Sequence, residues 1–233
     1  MESPNYKSEV DRIIDVYDEY VNQSDKWSDS NLGNQIIYKE RFVNIVKLFK
    51  KNKINLKDKK ILDIGCAGGN LFPIFNNLGV KEKNINGIDI RLNRIDDAKM
   101  IYPKSRLKVM DARQLEFFDD TFDVIITFTL FSSILKNDFR KQIASEISRV
   151  LKPTGIILYY DFRYNNPFNK NVLRMKESDI NILFPHMEKT LELITVFPPL
   201  IRNISYLSKT MYPLLSRFQF MKTHYIGLFR NIS

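Results

Sequence analysis

Along the first fifty residues the apolar positions recur at helical spacing. Val10, Ile13, Ile14, Tyr17 and Val21 share one face, which predicts an amphipathic helix over residues 8–22. A polar, turn-rich stretch runs from Asn22 to Asn34. A second helix follows to about Lys51, with Tyr38, Phe42, Ile45, Val46 and Phe49 on one side. Beyond Lys60 the period changes. Short apolar runs alternate with helical ones, the pattern of βαβ units around a mainly parallel sheet. Strands are predicted at 60–64, 85–90, 107–110, 124–129 and 156–162, and helices at 70–77, 94–101 and 138–151. Phe139, Ile143, Ile147 and Val150 make one stripe of the last helix, and Pro153-Thr154-Gly155 predict a turn into the strand after it. The tail predicts a helix ending near Phe184 and strands at 191–197 and 224–229. Between those strands lies an aromatic, partly helical segment over 205–220 that Pro213 should break or kink.

The strongest chemical signal is the run Ile61-Leu62-Asp63-Ile64-Gly65-Cys66-Ala67-Gly68-Gly69-Asn70. A buried strand passes through a glycine-rich turn into a helix. Such a turn lets the backbone approach a ligand, and the helix start offers free N–H groups. Alone it is ambiguous, because dinucleotide enzymes use the same device with G-x-G-x-x-G spacing. Here the spacing is Gly65-x-Ala67-x-Gly69, with Asp63 two residues ahead of the first glycine. Asp89 then ends the second predicted strand, where a carboxylate can accept hydrogen bonds from both hydroxyls of a ribose. Asp111, with Ala112 beside it, ends the third, and Thr127 and Phe128 end the fourth.

This arrangement resembles motif I and the strand-end acids of the class I S-adenosylmethionine-dependent methyltransferases, D-x-G-x-G-x-G, with Ala67 in place of the middle glycine. The resemblance covers residues 60–162. It implies a Rossmann-like three-layer α/β sandwich with a seven-stranded, mostly parallel sheet of order 3-2-1-4-5-7-6, strand 7 antiparallel. It implies S-adenosylmethionine as cofactor, held by Asp63, Gly65, Cys66, Ala67, Gly68, Gly69 and Asn70, by Asp89 and Ile90, by Asp111 and Ala112 near the adenine, and by Thr127 and Phe128 near the methionine part. No metal is implied. The chain divides into an N-terminal helical lid, 1–58, and a methyltransferase domain, 59–233. Trp27, Tyr38 and Arg41 are the lid's candidate cofactor contacts.

Fold and cofactor leave the acceptor open. The stretch Tyr159-Tyr160-Asp161-Phe162-Arg163-Tyr164-Asn165-Asn166-Pro167 leaves the fifth strand at the carboxyl edge of the sheet and carries an acid, a guanidinium and two amides. Arg163, Asn165 and Asn166 are the candidate acceptor contacts. With an antiparallel last strand beside the fifth, His224 is expected near Asp161, where a carboxylate-oriented imidazole serves as general base. The other histidine, His186, follows Phe184-Pro185 in a loop. Short strings here also resemble methyltransferases of surface-polysaccharide and glycan biosynthesis. That implies O-methylation of a sugar or glycan intermediate, phosphate-bearing or lipid-linked. A small secondary metabolite and RNA are the alternative acceptors.

Charge and composition refine this. Lys plus Arg number 36 against 27 acids, a formal charge of +9 that favours anionic partners. Glu192 is the last acid, whereas Arg202, Lys209, Arg217, Lys222 and Arg230 follow it. RNA is disfavoured by the lack of an appended RNA-binding module and of an Asn/Asp-Pro-Pro-Tyr sequence. The single cysteine, Cys66, supports no disulfide framework, and no apolar run approaches the roughly 18 residues of a membrane span. With no leader-like start, a cytoplasmic location is expected. The aromatic segment over 201–221 leaves three readings: a cover for the acceptor, core packing, or contact with the inner membrane face. Nothing in the sequence sets an oligomeric state.

Overall fold

The computed structural model describes residues 8–22, 30–167 and 169–232. The chain runs α1 (Glu9–Asn22), α2 (Leu32–Lys51), β1 (Ile61–Ile64), α3 (Phe72–Asn77), β2 (Ile85–Asp89), α4 (Leu92–Ile101), β3 (Arg106–Val109) and β4 (Phe122–Phe128). It continues through α5 (Leu130–Ser133), α6 (Asn137–Val150), β5 (Leu151–Phe162), α7 (Glu177–Leu183), β6 (Met187–Val196), α8 (Pro198–Asn203), α9 (Ser208–Leu215) and β7 (Lys222–Asn231). Seven strands form one sheet of order β3-β2-β1-β4-β5-β7-β6. β1 to β5 pair in parallel, and β7 runs antiparallel to both β5 and β6, as the resemblance implied.

Period-2 alternation assigns each strand's side chains to one of two cores. Ile156, Leu158 and Tyr160 of β5 face Ile45, Leu48 and Phe49 of α2, Phe72 and Phe75 of α3, and Ile95 and Ala98 of α4. Ile157 and Tyr159 face the other way, onto Ile143, Ala144, Ile147 and Val150 of α6 and Ile180 of α7. These two layers of helices around one sheet are the expected sandwich. α2 belongs to the first core as fully as α3 does, with Phe49 set edge-on to Phe75 at 6.4 Å between ring centres. Burying such a ring contributes roughly 1.5–3 kcal/mol.

Several local expectations change. Pro153-Thr154-Gly155 do not form a turn ahead of β5. They lie within it as a bulge, because Leu151 pairs with Phe122 and Ile156 with Val124. Pro213 sits inside α9, in its last turn, and the helix ends two residues later. The helix expected at Asn70 begins at Phe72, with proline in its first turn. On α1, the buried positions are Glu9, Arg12 and Val16 rather than the apolar stripe alone. Arg12 forks onto Glu9 and donates to the carbonyl of Ser133 at 2.6 Å, while Glu9 accepts the N–H of Leu135. A buried ion pair thus fastens α1 to the chain after β4. Among the described residues no helix is long and apolar enough to cross a membrane.

Candidate functional site

The glycine-rich loop joins β1 to α3 at the carboxyl edge of the sheet. Gly65 and Gly69 both have φ of +77°, which an L side chain adopts only with strain, and a Cβ on Gly69 would meet the Tyr102 ring at 2.7 Å. Ala67 also lies at positive φ, +46°. Its N–H donates to Asp89 Oδ2 at 3.0 Å, which ties the loop to the end of β2. Oδ1 of Asp89 accepts from the backbone and Nε of Arg91. A carboxylate offers about four lone-pair sites, so Asp89 keeps capacity for a ribose hydroxyl. Cys66 is buried under the loop, against the position of Gly87.

Asp63 shares the face of Asp89 one strand away. Burial, and then the charge of Asp89, push its carboxyl up to about 8. Asp111 follows β3 and is forked by Arg113, whose Nε and Nη2 both reach it. Burial pushes the Asp111 carboxyl upward, but the Arg113 bonds outweigh that and hold it below its ordinary value. Asp111, Arg113, Gln114 and Gln142 line a shallow depression open to solvent beside the end of β3. Thr127 is fully buried and its hydroxyl has no hydrogen-bond partner among the described residues. Thr129, just after β4, is left-handed at φ +51° and donates its N–H to the carbonyl of Tyr160. A β-branched residue there is strained by about 1–3 kcal/mol. The loop, the acids and the end of β4 therefore converge on one edge, as the sequence spacing required.

The acceptor side departs from expectation. His224 pairs across the ladder with Phe162, and Asp161 pairs with Tyr225. Directly opposed residues share a face and successive ones alternate, so Asp161 and His224 lie on opposite faces of the sheet. The expected Asp–His pair does not form. Asp161, fully buried on the α6 side, accepts the N–H of Ser132 at 3.1 Å and so anchors α5. Burial pushes its carboxyl up to about 6. His224 stacks on Tyr160 at 4.7 Å on the α2 side, its Nδ1 bonded to the Thr223 hydroxyl. Burial, then Arg41 and Arg202, hold its imidazole well below the ordinary value, so it is neutral at neutral pH.

Around His224 the structure builds a cluster that sequence reasoning missed. Phe128, Tyr160 and His224 form a run of stacked rings across β4, β5 and β7. Arg41 of α2 lies 5.6 Å over Tyr160, its Nε buried without a hydrogen-bond partner among the described residues. Arg202 donates to Asn34, and burial followed by the nearby Arg41 lowers its pKa to about 10. Glu40 turns away to accept the N–H of Thr195. Tyr38 and Arg41 were expected to touch the cofactor from a helical lid, but only the fold could bring Arg41 against β5. Tyr38 packs on the first core, and Trp27 lies outside the described residues.

The loop after β5 is engaged with itself. Arg163 donates to the Tyr164 hydroxyl and to the carbonyl of Gln219, and Asn165 Oδ1 accepts the N–H of Arg174. The Asn166 carbonyl accepts the N–H of Asn169. His186 lies just before β6, at the opposite edge of the sheet, and its carbonyl accepts the N–H of Ile232.

Residues 62–159 match a protein family described as a methyltransferase domain. The chain is 30% identical over 156 residues to a ubiquinone biosynthesis O-methyltransferase of Pelagibacter ubique, covering 65% of this chain and 62% of that one. It is 25% identical over 158 residues to a phosphatidylethanolamine N-methyltransferase of Cereibacter sphaeroides, covering 63% and 72%. The first of these matches thus spans less than two thirds of the relative's length. Among solved structures, magnesium protoporphyrin IX methyltransferase from Synechocystis superposes with a TM-score of 0.64 at 13% identity, over 98% of this chain and 100% of that one. Residues 62–159 thus match the methyltransferase-domain family, and the sheet around them has the Rossmann-like fold of the solved methyltransferase structure.

Proposed function

We propose that this chain is an S-adenosylmethionine-dependent methyltransferase. The observation that carries the reading is the left-handed Gly65–Gly69 loop, clamped to Asp89 and flanked by Asp63 and Asp111 at neighbouring strand ends. These residues fit an adenosyl group. Gly65 to Asn70 would approach it by backbone, Asp89 and Ile90 would hold its ribose, and Asp111 and Ala112 its adenine. Thr127 and Phe128 would lie beside its methionine part. When bound, the cofactor supplies an electrophilic methyl group on sulfur. The protein's part is alignment and exclusion of water, which account for much of the rate of such a displacement. The ring run and Arg41 make the acceptor floor, with Arg41 holding a polar or anionic group. Where the acceptor atom is oxygen, neutral His224 takes the proton, and Asp161 positions α5.

For the acceptor, O-methylation of a sugar or glycan intermediate rests on the polar loop carrying Arg163, Asn165 and Asn166. Much of that loop's bonding is internal. A lipid-borne acceptor is the second reading, favoured by the apolar residues exposed near this edge and by the names of the two relatives. Incubation of the protein and methyl-labelled S-adenosylmethionine with cell extract separates them. Label in a polar saccharide fraction supports the first and label in the solvent-extracted lipid fraction supports the second. Label in neither fraction removes both acceptor readings, and no labelled product at all from a folded, loaded protein removes the methyltransferase reading.

A further inference from the structure

Between α8 and β7 the chain crosses the carboxyl edge of β6 and β7 through α9. One side of this segment is buried. Tyr212 reaches under it to accept the N–H of Val196 at 3.2 Å and packs with Ile37, Val196 and Ile201. The other side consists of large apolar groups in solvent: Tyr206 is 87% exposed, Leu207 62%, Leu214 53%, Phe218 54% and Phe220 69%. Five such residues within fifteen positions are not the single scattered hydrophobics of an ordinary surface. The flanking exposed charges, Lys209 and Arg217, are both cationic, and no acid follows Glu192 anywhere in the chain. The core-packing expectation thus holds for Tyr212 and Ile201 but not for the outer side.

We propose that this outer side rests on an anionic lipid bilayer, with Tyr206, Leu207, Leu214, Phe218 and Phe220 entering the interface and Lys209 and Arg217 meeting the headgroups. Charge complementarity selects this partner over a second copy of the chain, because two such faces would bring like charges together. Apolar burial and cation attraction act in concert at membrane interfaces. The place in the fold gives the contact a use. The Arg163 side chain donates to the carbonyl of Gln219 within this segment, so the docked face borders the loop after β5 and the edge where a lipid-borne acceptor would enter. Docking goes beyond the methyltransferase reading and is tested apart from it, because partition onto vesicles needs no cofactor.

The test is co-sedimentation of the full chain with phosphatidylcholine vesicles made with and without phosphatidylglycerol. Binding is expected to the anionic vesicles, to weaken with added salt, and to be slight on phosphatidylcholine alone. The pair Phe218→Ser and Phe220→Ser is expected to reduce partition at least about tenfold. The pair Lys209→Glu and Arg217→Glu is expected to do the same while unfolding at the wild-type temperature. Absence of sedimentation with anionic vesicles overturns the proposal. So does wild-type partition by both folded double variants, or concentration-dependent dimerisation through this face without vesicle binding.

Discussion

The two halves of the carboxyl edge are built by different rules. From β3 to β4 each site residue sits near the end of a strand or in the short loop directly after it, so position in the sequence is position in space. Gly65, Asp89, Asp111 and Phe128 reach the edge because the strands before them are parallel and end together. From β5 to β7 the site comes from residues far apart, and strand parity decides what meets. Asp161 and His224 approach the same edge but occupy opposite faces, whereas Arg41 reaches Tyr160 from 119 positions away. The first half is a local design, and the second depends on the whole fold.

The contrast can be broken first at the loop. Gly69→Val places a branched side chain at φ +77° against the Tyr102 ring. Affinity for S-adenosylhomocysteine is expected to fall at least about 100-fold, or about 2.7 kcal/mol, as measured by equilibrium dialysis. Affinity close to wild type would mean that the loop is not the cofactor's cradle.

Parity predicts how Asp161 and His224 combine. His224→Gln is expected to cost about 1–3 kcal/mol in denaturant unfolding, and Asp161→Asn less at neutral pH, because it also removes a buried charge. In a double-mutant cycle they should add to within about 0.5 kcal/mol. Larger coupling would mean that the two side chains meet. Their pH signatures are opposite. The raised Asp161 carboxyl contributes stability that is present below the ordinary 3.8 and lost as pH rises through about 6, and Asp161→Asn removes that loss. The lowered His224 imidazole contributes stability that is present above 6.5 and lost as pH falls below it, and His224→Gln flattens that acid limb. The smallest expected effect is at Thr129. Thr129→Gly relieves the left-handed strain and should stabilise the chain by about 1 kcal/mol in the same unfolding series.

This division explains what the sequence could disclose. Alternating strand and helix periods marked the strands, the resemblance carried by the Asp63–Asn70 run implied the sheet order, and the same run marked the glycine-rich loop. The bulge at 152–155 was hidden because proline and glycine signal a turn equally well. The burial of Glu9 and Arg12 follows from where α1 lands, and only their three-residue spacing marks them in the sequence. The Asp161–His224 expectation needed the β5–β7 register to one residue, and a slip of one moves every side chain to the other face. The segment around α9 left three readings open because hydrophobicity alone does not say which side a tertiary contact takes.

The central claim is that the edge around Gly65, Asp89 and Asp111 holds an adenosyl group. Calorimetric titration of the purified chain with S-adenosylhomocysteine tests it most directly. One site per chain is expected, weakened when Asp89 is replaced by alanine. An absence of saturable heat from a folded protein, or affinity indifferent to Asp89→Ala, would contradict it.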